Sequence, residues 1–159
     1  KNFVIFIFLF VGEGSEKLKL QNKLSDLEIP NVTIIDSLPR NLFDAALSES
    51  DVGIISLSPN FRTQNIPGKL MSYLKYSKPV LASVNPGNDL VGMINGGNFG
   101  VSCIGRDKEN FMSNVIFLAG DHKIRKSLGQ NGKKFLNEYF DVKNAANQIL
   151  KSINSSIRL

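Results

Sequence analysis

Residues Phe3–Val11 read FVIFIFLFV, nine apolar residues in succession. A membrane-spanning helix needs about twenty. A secretory signal needs a small-residue cleavage pattern after the apolar run, and none follows. The run therefore reads as a strand buried on both faces, the kind found inside a parallel sheet. It ends at Gly12. Only two residues precede it, so the chain is expected to be a fragment of something longer.

Outward from this strand the chain alternates. Ser15 is placed to cap a helix running to Asp26, striped by Leu18, Leu20, Leu24 and Leu27. Asn31–Ile35 reads as a second strand. Pro39 opens a helix expected to bury Leu42, Phe43, Ala46 and Leu47. Asp51–Leu57 is a third strand, and the loop 58–66 follows it. A helix is expected to start at Pro67, and Pro79–Ser83 is a fourth strand. Asn85–Asp89 (NPGND) is a turn that caps a short helix ending at Ile94, stopped by Gly96 and Gly97. Phe99–Cys103 is a fifth strand, and helices near 107–119, 122–139 and 142–156 finish the chain. Strands and helices alternating at short intervals predict an α/β fold, a Rossmann-like parallel sheet flanked by helices. At 159 residues the whole chain, 1–159, is expected to be one domain.

Composition narrows the function. Hydrophobic content of 42% and charged content of 21% are those of a globular domain. Cys103 is the single cysteine and His122 the single histidine, which excludes a disulfide framework and a zinc site built from the two residue types. The same scarcity excludes a Ser-His-Asp arrangement, and the carboxylates form no evident acid/base pair. Two sequons, at Asn31 and Asn154, have no sign of secretion behind them. Residues 1–120 carry 11 Lys/Arg and 11 Asp/Glu, and residues 121–159 carry 8 and 3, so the net +5 lies wholly in the last quarter. That places the excess on a solvated helical face or against an anionic membrane surface. Nucleic acid is not expected as a partner, because basic and aromatic residues are not interleaved.

Two loops carry binding signals. Gly12 and Gly14, between the first strand and its helix, allow a sharp turn and a close ligand approach. Lys17 stands where a dinucleotide fingerprint needs its third glycine, so NAD binding is not expected. Asn65–Val80 reads NIPGKLMSYLKYSKPV. There, proline at a first helical position, Gly68 and Lys69 describe a helix start with free amides, room for close approach and a positive charge, all suited to an anion. It is not a P-loop, since Thr63 and Leu70 occupy two required positions. Arg62, Gln64 and Ser72 flank this start, whereas Leu70, Tyr73 and Leu74 read as core. Both loops follow strands, at the end of a parallel sheet where ligands bind.

The segments FLFVGEGSEKLKL, NVTIIDSLPRNLFDAALSESDVGIISL and IPGKLMSYLKYSKPVLAS resemble the C-terminal donor-binding domain of family 4 retaining glycosyltransferases of the GT-B fold. LGQNGKKFLNEYFDVKNAANQIL is similar to the tail of the family. The resemblance implies one half of a GT-B fold, with the acceptor domain and its catalytic histidine absent and no catalytic residue in this part. It implies a UDP-sugar donor, no cofactor and no required metal. The family has two glutamates that would fall on Gln64 and Ser72, and neither is acidic here. The Pro-Gly-Lys and Ser-Tyr pattern is closer to bacterial fucosaminyl (N-acetylfucosamine) transferases of O-antigen and capsule assembly. The implied substrate-binding set is Gly12, Gly14, Ser37, Leu38, Arg62, Gln64, Gly68, Lys69 and Ser72. Gly12 and Gly14 would admit the diphosphate or adjoining donor, Ser37–Leu38 would stack the base, and Ser72 would face the ribose. The implied acceptor is a lipid-linked glycan, and the implied location is cytoplasmic, peripheral on the inner face of a bacterial membrane. The alternative is a stand-alone flavodoxin-like binding or signalling module, for which Asp36 is the one strand-end acid, with no cluster seen beside it.

Overall fold

A computed structural model describes residues 6–62 and 66–141, and beyond them positions 146, 149, 150, 152 and 153. Gln64 and the start of the first strand lie outside the described residues, as does most of the expected helix 142–156. Its described positions Ala146, Ile149, Leu150, Ser152 and Ile153 are helical. The chain divides into two compact units, Lys1–Glu49 and Ser50–Leu159.

In the first unit, β1 (Phe8–Val11) pairs in parallel with β2 (Val32–Ile35), Phe8 opposite Val32 and Val11 opposite Ile35. α1 (Lys17–Asp26) connects them, and α2 (Arg40–Glu49) follows. The expectation that the first strand is buried on both faces is corrected: Leu9 and Phe10 are 49% and 53% exposed. An apolar run records what a strand could bury, and β1 has one strand neighbour in a two-stranded sheet. The leucine stripe of α1 is corrected likewise, with Leu18, Leu20 and Leu27 exposed and no residue of the helix buried. Its cap is Glu16 and not Ser15, and no side chain closes the first turn. In α2 only Leu47 is buried; Leu42 is exposed. The Pro39 carbonyl accepts the Phe43 N–H at 2.9 Å and so starts that helix as expected.

The second unit holds the core. β3 (Gly53–Ser56), β4 (Val80–Val84) and β5 (Gly100–Ile104) form a parallel sheet in the order β3-β4-β5. α3 (Lys69–Lys75), α4 (Asp89–Gly97), α5 (Lys108–Gly120) and α6 (His122–Tyr139) flank it. Ile55, Val80, Ala82 and Val84 from the strands meet Leu70, Leu74, Leu90, Ile94 and Phe99 in one fully buried cluster. The expected core residues of α3 are thus core, and Tyr73 adds a half-buried ring whose hydroxyl donates to the Ile54 carbonyl at 3.1 Å. That ring lies on Gly53, where a Cβ would come within 2.3 Å of it.

Two further helix ends differ from expectation, the start of α3 and the end of α4. α3 begins two residues later than proline preference suggests: Gly68 is its cap, and the Pro67 carbonyl accepts the Leu70 N–H at 2.9 Å as a preceding turn. α4 is capped by Asn88, whose side chain accepts the Leu90 N–H at 3.0 Å. It runs on through Gly96 and Gly97 and stops at Asn98, which takes the left-handed conformation (φ 45°). Asparagine tolerates that conformation, so the glycine pair is not the stop signal it resembles.

Candidate functional site

In the first unit the strand ends carry a charged cluster. Gly12 closes β1 at φ 148°, and its N–H donates to the Ile35 carbonyl at 3.1 Å. A side chain at Gly12 would meet open space but not a comfortable backbone, so conformation alone asks for glycine. Gly14 is exposed, and its carbonyl accepts the Lys17 N–H at 3.1 Å. Lys17 then reaches back to Glu13 at 3.2 Å and across to the Asp36 carboxylate. The Ser37 N–H also donates to Glu13, at 3.2 Å. Hydrogen bonding to Asp36 raises the Lys17 ammonium above its ordinary range, and the same contact holds Asp36 below its own. Asp36 therefore does have a cluster beside it, against expectation. Lys17 stands four residues beyond Glu13, the one local hint of that pair; nothing local tied either residue to Asp36.

In the second unit the loops after β3, β4 and β5 converge. The Ser58 carbonyl accepts the Phe61 N–H at 3.0 Å, which folds the start of the β3 loop into a turn. Pro59 of this turn lies against Gly105 of the β5 loop, 3.7 Å from where a Cβ would stand. Ser83 of β4 ties the same place, its hydroxyl donating to the Gly105 carbonyl at 2.9 Å. Above this junction lies a cavity of about 470 Å³ lined by Pro59, Asn60, Phe61, Arg62, Asn85 and Pro86. Its wall is firm on the Asn85 side. Asn85 is 3% exposed, and its side-chain oxygen accepts from the Asn88 amide at 3.0 Å. Its lining includes the exposed residue Arg62 and, among the described residues, no carboxylate. Asn60 and Asn85 were missed in the sequence, where an Asn-Pro-Gly pattern reads first as a turn.

Arg62 thus lines a cavity at the strand ends, Gly12, Gly14 and Ser37 lie beside the first-unit cluster, and Leu38, next in the chain, is half-buried. Gly68 and Lys69 are exposed at the start of α3, and Ser72 is half-buried in its first turns. None of these three lines the Arg62 cavity. A larger hollow of about 710 Å³ runs along α4 and α6, walled by the stacked rings of Phe135 and Tyr139, away from the loops just described. Among the described residues no group of three His, Cys, Asp or Glu is gathered as a metal site.

The sequence matches no protein-family model and no curated protein. Its fold, however, is matched by solved structures. Sucrose-phosphate synthase from Thermosynechococcus elongatus superposes with a TM-score of 0.72 over 94% of this chain and 38% of its own, at 14% identity. WaaG, a glycosyltransferase involved in lipopolysaccharide biosynthesis, does so with a TM-score of 0.62 over 82% of this chain and 34% of its own, also at 14% identity. The chain spans little more than a third of the length of either. At this identity the likeness speaks to fold, and the expected fold class is the observed one: parallel α/β sheets flanked by helices, the fold of part of a GT-B glycosyltransferase.

Proposed function

We propose that this chain is the donor-binding part of a glycosyltransferase. The observation that carries the reading is the position of Arg62, which lines an acid-free cavity at the carboxyl ends of a parallel sheet whose fold is that of glycosyltransferases. When the bond from the sugar to the nucleotide diphosphate breaks, negative charge builds on the departing phosphate. A guanidinium meets that charge with a planar fork of donors, and a pre-placed donor costs no reorganisation during the reaction. Lys69 supplies a second cation at the start of α3, and Gln64 is assigned a hydrogen bond to the donor sugar or phosphate. Asn60 and Asn85 offer amide groups to sugar or ribose hydroxyls. Ser72 is assigned to the ribose, and the sequence resemblance alone assigns Gly12 and Gly14 to the diphosphate or adjoining donor and Ser37 and Leu38 to the base.

The finer reading is transfer of an N-acetylamino-deoxy sugar, such as N-acetylfucosamine from its UDP derivative, with retention, to a lipid-linked glycan of a bacterial surface polysaccharide. No metal is invoked, because cationic side chains meet the phosphate charge. The catalytic residues belong to an acceptor domain outside residues 1–159. The protein works in the cytoplasm, in peripheral contact with the inner face of the membrane.

Calorimetric titration of UDP and of uridine into the chain tests the donor site. Arg62→Ala is expected to weaken UDP by about tenfold or more and uridine hardly at all. Equal losses for the two ligands would remove the phosphate role.

The cluster of Asp36, Glu13 and Lys17 favours a second reading, a flavodoxin-like signalling module that takes a phosphoryl group on Asp36. Incubation with acetyl phosphate and magnesium, followed by intact mass measurement, decides it. Phosphorylation abolished by Asp36→Asn would support this reading, and an unmodified mass would reject it.

A further inference from the structure

The helix α5 is apolar on two sides. Phe111, Asn114, Val115 and Leu118 form the face turned to β5: Val115 and Leu118 are buried, and the Asn114 amide donates to the Ser102 carbonyl at 3.3 Å. The outward face carries Met112, Ile116 and Phe117, which are 49%, 60% and 47% exposed, with exposed Ser113 between them and Gly120 beyond. Single exposed apolar residues are normal on a protein surface. A helix with a second, contiguous apolar face asks for a second cover.

The charges say which cover fits. α5 passes into α6 through Asp121 alone, so Lys123 follows the end of α5 by three residues and Lys126 lies about one helical turn further along α6. Both lysines are exposed, and among the described residues neither has an ion-pair partner. Arg125, beside them, is already engaged by Asp51 at 3.3 Å and by the carbonyls of Leu118 and Ala119. Lys108 starts the same outward line, one turn before Met112. Glu109 is the one acid on that face. The whole net charge of +5 belongs to residues 121–159. No described helix is long and apolar enough to cross a membrane.

From this we infer that the outward face of α5, with Lys123 and Lys126, docks on an anionic lipid bilayer. Met112, Ile116 and Phe117 enter the headgroup boundary, and the lysines sit among phosphate headgroups, the arrangement of an interfacial helix. The inference deepens the membrane side of the proposed function and does not depend on the donor site.

Vesicle sedimentation tests it. The chain should sediment with phosphatidylcholine vesicles containing about one-quarter phosphatidylglycerol, and not with phosphatidylcholine alone, and high salt should release it. Lys123→Gln and Lys126→Gln should each weaken binding about fivefold. Ile116→Ser with Phe117→Ser should weaken it at least about tenfold. Far-UV melting of each variant shows that the fold is intact. The chain has no tryptophan, so Phe117→Trp adds a single reporter whose emission should shift to the blue on anionic vesicles.

Equal binding to neutral and anionic vesicles, or unchanged binding by the variants, would overturn the inference. So would an apolar-dependent dimer in sedimentation velocity, which would give the face to a second copy. UDP calorimetry on the same variants keeps the outcomes apart, since loss of vesicle binding with UDP binding intact isolates the membrane face from the donor site.

Discussion

Gly129→Ala and Gly92→Ala exchange the same residues inside two helices, and the structure demands opposite signs. In an open helix interior the exchange stabilises by about 1 kcal/mol, because alanine loses less backbone freedom on folding. Gly92, in α4, has no atom beyond its chain neighbours and its own helix's nearby backbone within 4 Å of the position a Cβ would take, so it should show that gain. Gly129, in α6, is buried against the turn after α3, and its Cβ would stand 1.8 Å from the Ser77 carbonyl oxygen. Relief requires more than about 1 Å of main-chain movement. Ser77 is a poor place to find it, because it is already in the left-handed conformation at φ 53°. Overpacking of this kind costs about 1–3 kcal/mol and occasionally more. Set against the propensity gain, Gly129→Ala should lose about 2 kcal/mol, or about 4–8 °C in melting temperature. Urea denaturation followed by far-UV circular dichroism measures both variants. A neutral or stabilised Gly129→Ala would refute the close approach of α6 to the Ser77 turn, and with it the account of how α3 is held.

Four further outcomes are expected. Tyr73→Phe should lose about 1 kcal/mol, since it removes a half-buried hydrogen bond to the Ile54 carbonyl; in the parent chain burial pushes the phenol above its ordinary range, which ultraviolet titration reads directly. Asn88→Ala should cost about 1–2 kcal/mol in urea denaturation, because a 4% exposed cap that also donates to Asn85 disappears. Asp107 is held below the ordinary carboxylate value of 3.8, chiefly by the Asn110 N–H. The unfolded chain therefore takes up that proton first, so the contribution is complete above the ordinary value and fades as pH falls below it through the lowered folded-state value. Asp107→Asn should remove that part of the acid dependence in melting curves. Lys17→Met should let Asp36 rise toward its ordinary value in a carboxyl NMR titration; an unmoved Asp36 would mean that the Lys17 contact does not form in solution.

The order of elements was legible because its punctuation is local. Gly12, Pro39 and the Asn85–Asp89 turn each mark a boundary by their own backbone chemistry, and each lies at one in the structure. Burial was legible only where a neighbour exists to supply it. Leu70 and Leu74 are fully buried because β3 and β4 lie beneath them, whereas Leu18 and Leu20 of α1 and Leu27 at its end carry an equally plain pattern and stay exposed. Hydrophobicity along a chain states a demand and is silent on the supply. The site divides the same way. Gly12 could be picked out because a positive φ is a local need. The Lys17–Asp36 contact could not, since it joins residues 19 apart through strand pairing.

Charge decides how the proposed donor contacts should be shared. The Gly12–Gly14 loop was read as a place for diphosphate, yet its surroundings hold two carboxylates, Glu13 and Asp36, against one ammonium. A phosphate there would meet a net negative charge unless it drew Lys17 away from both acids. The Arg62 cavity has the reverse balance, a guanidinium and no acid in its lining. Phosphate charge is therefore best met at Arg62, and the carboxylates of the first unit are poor company for it. Arg62→Ala should therefore weaken the inhibition of UDP binding by inorganic phosphate, whereas Asp36→Asn should leave that inhibition unchanged. An equal effect of the two variants would mean that charge does not sort the contacts.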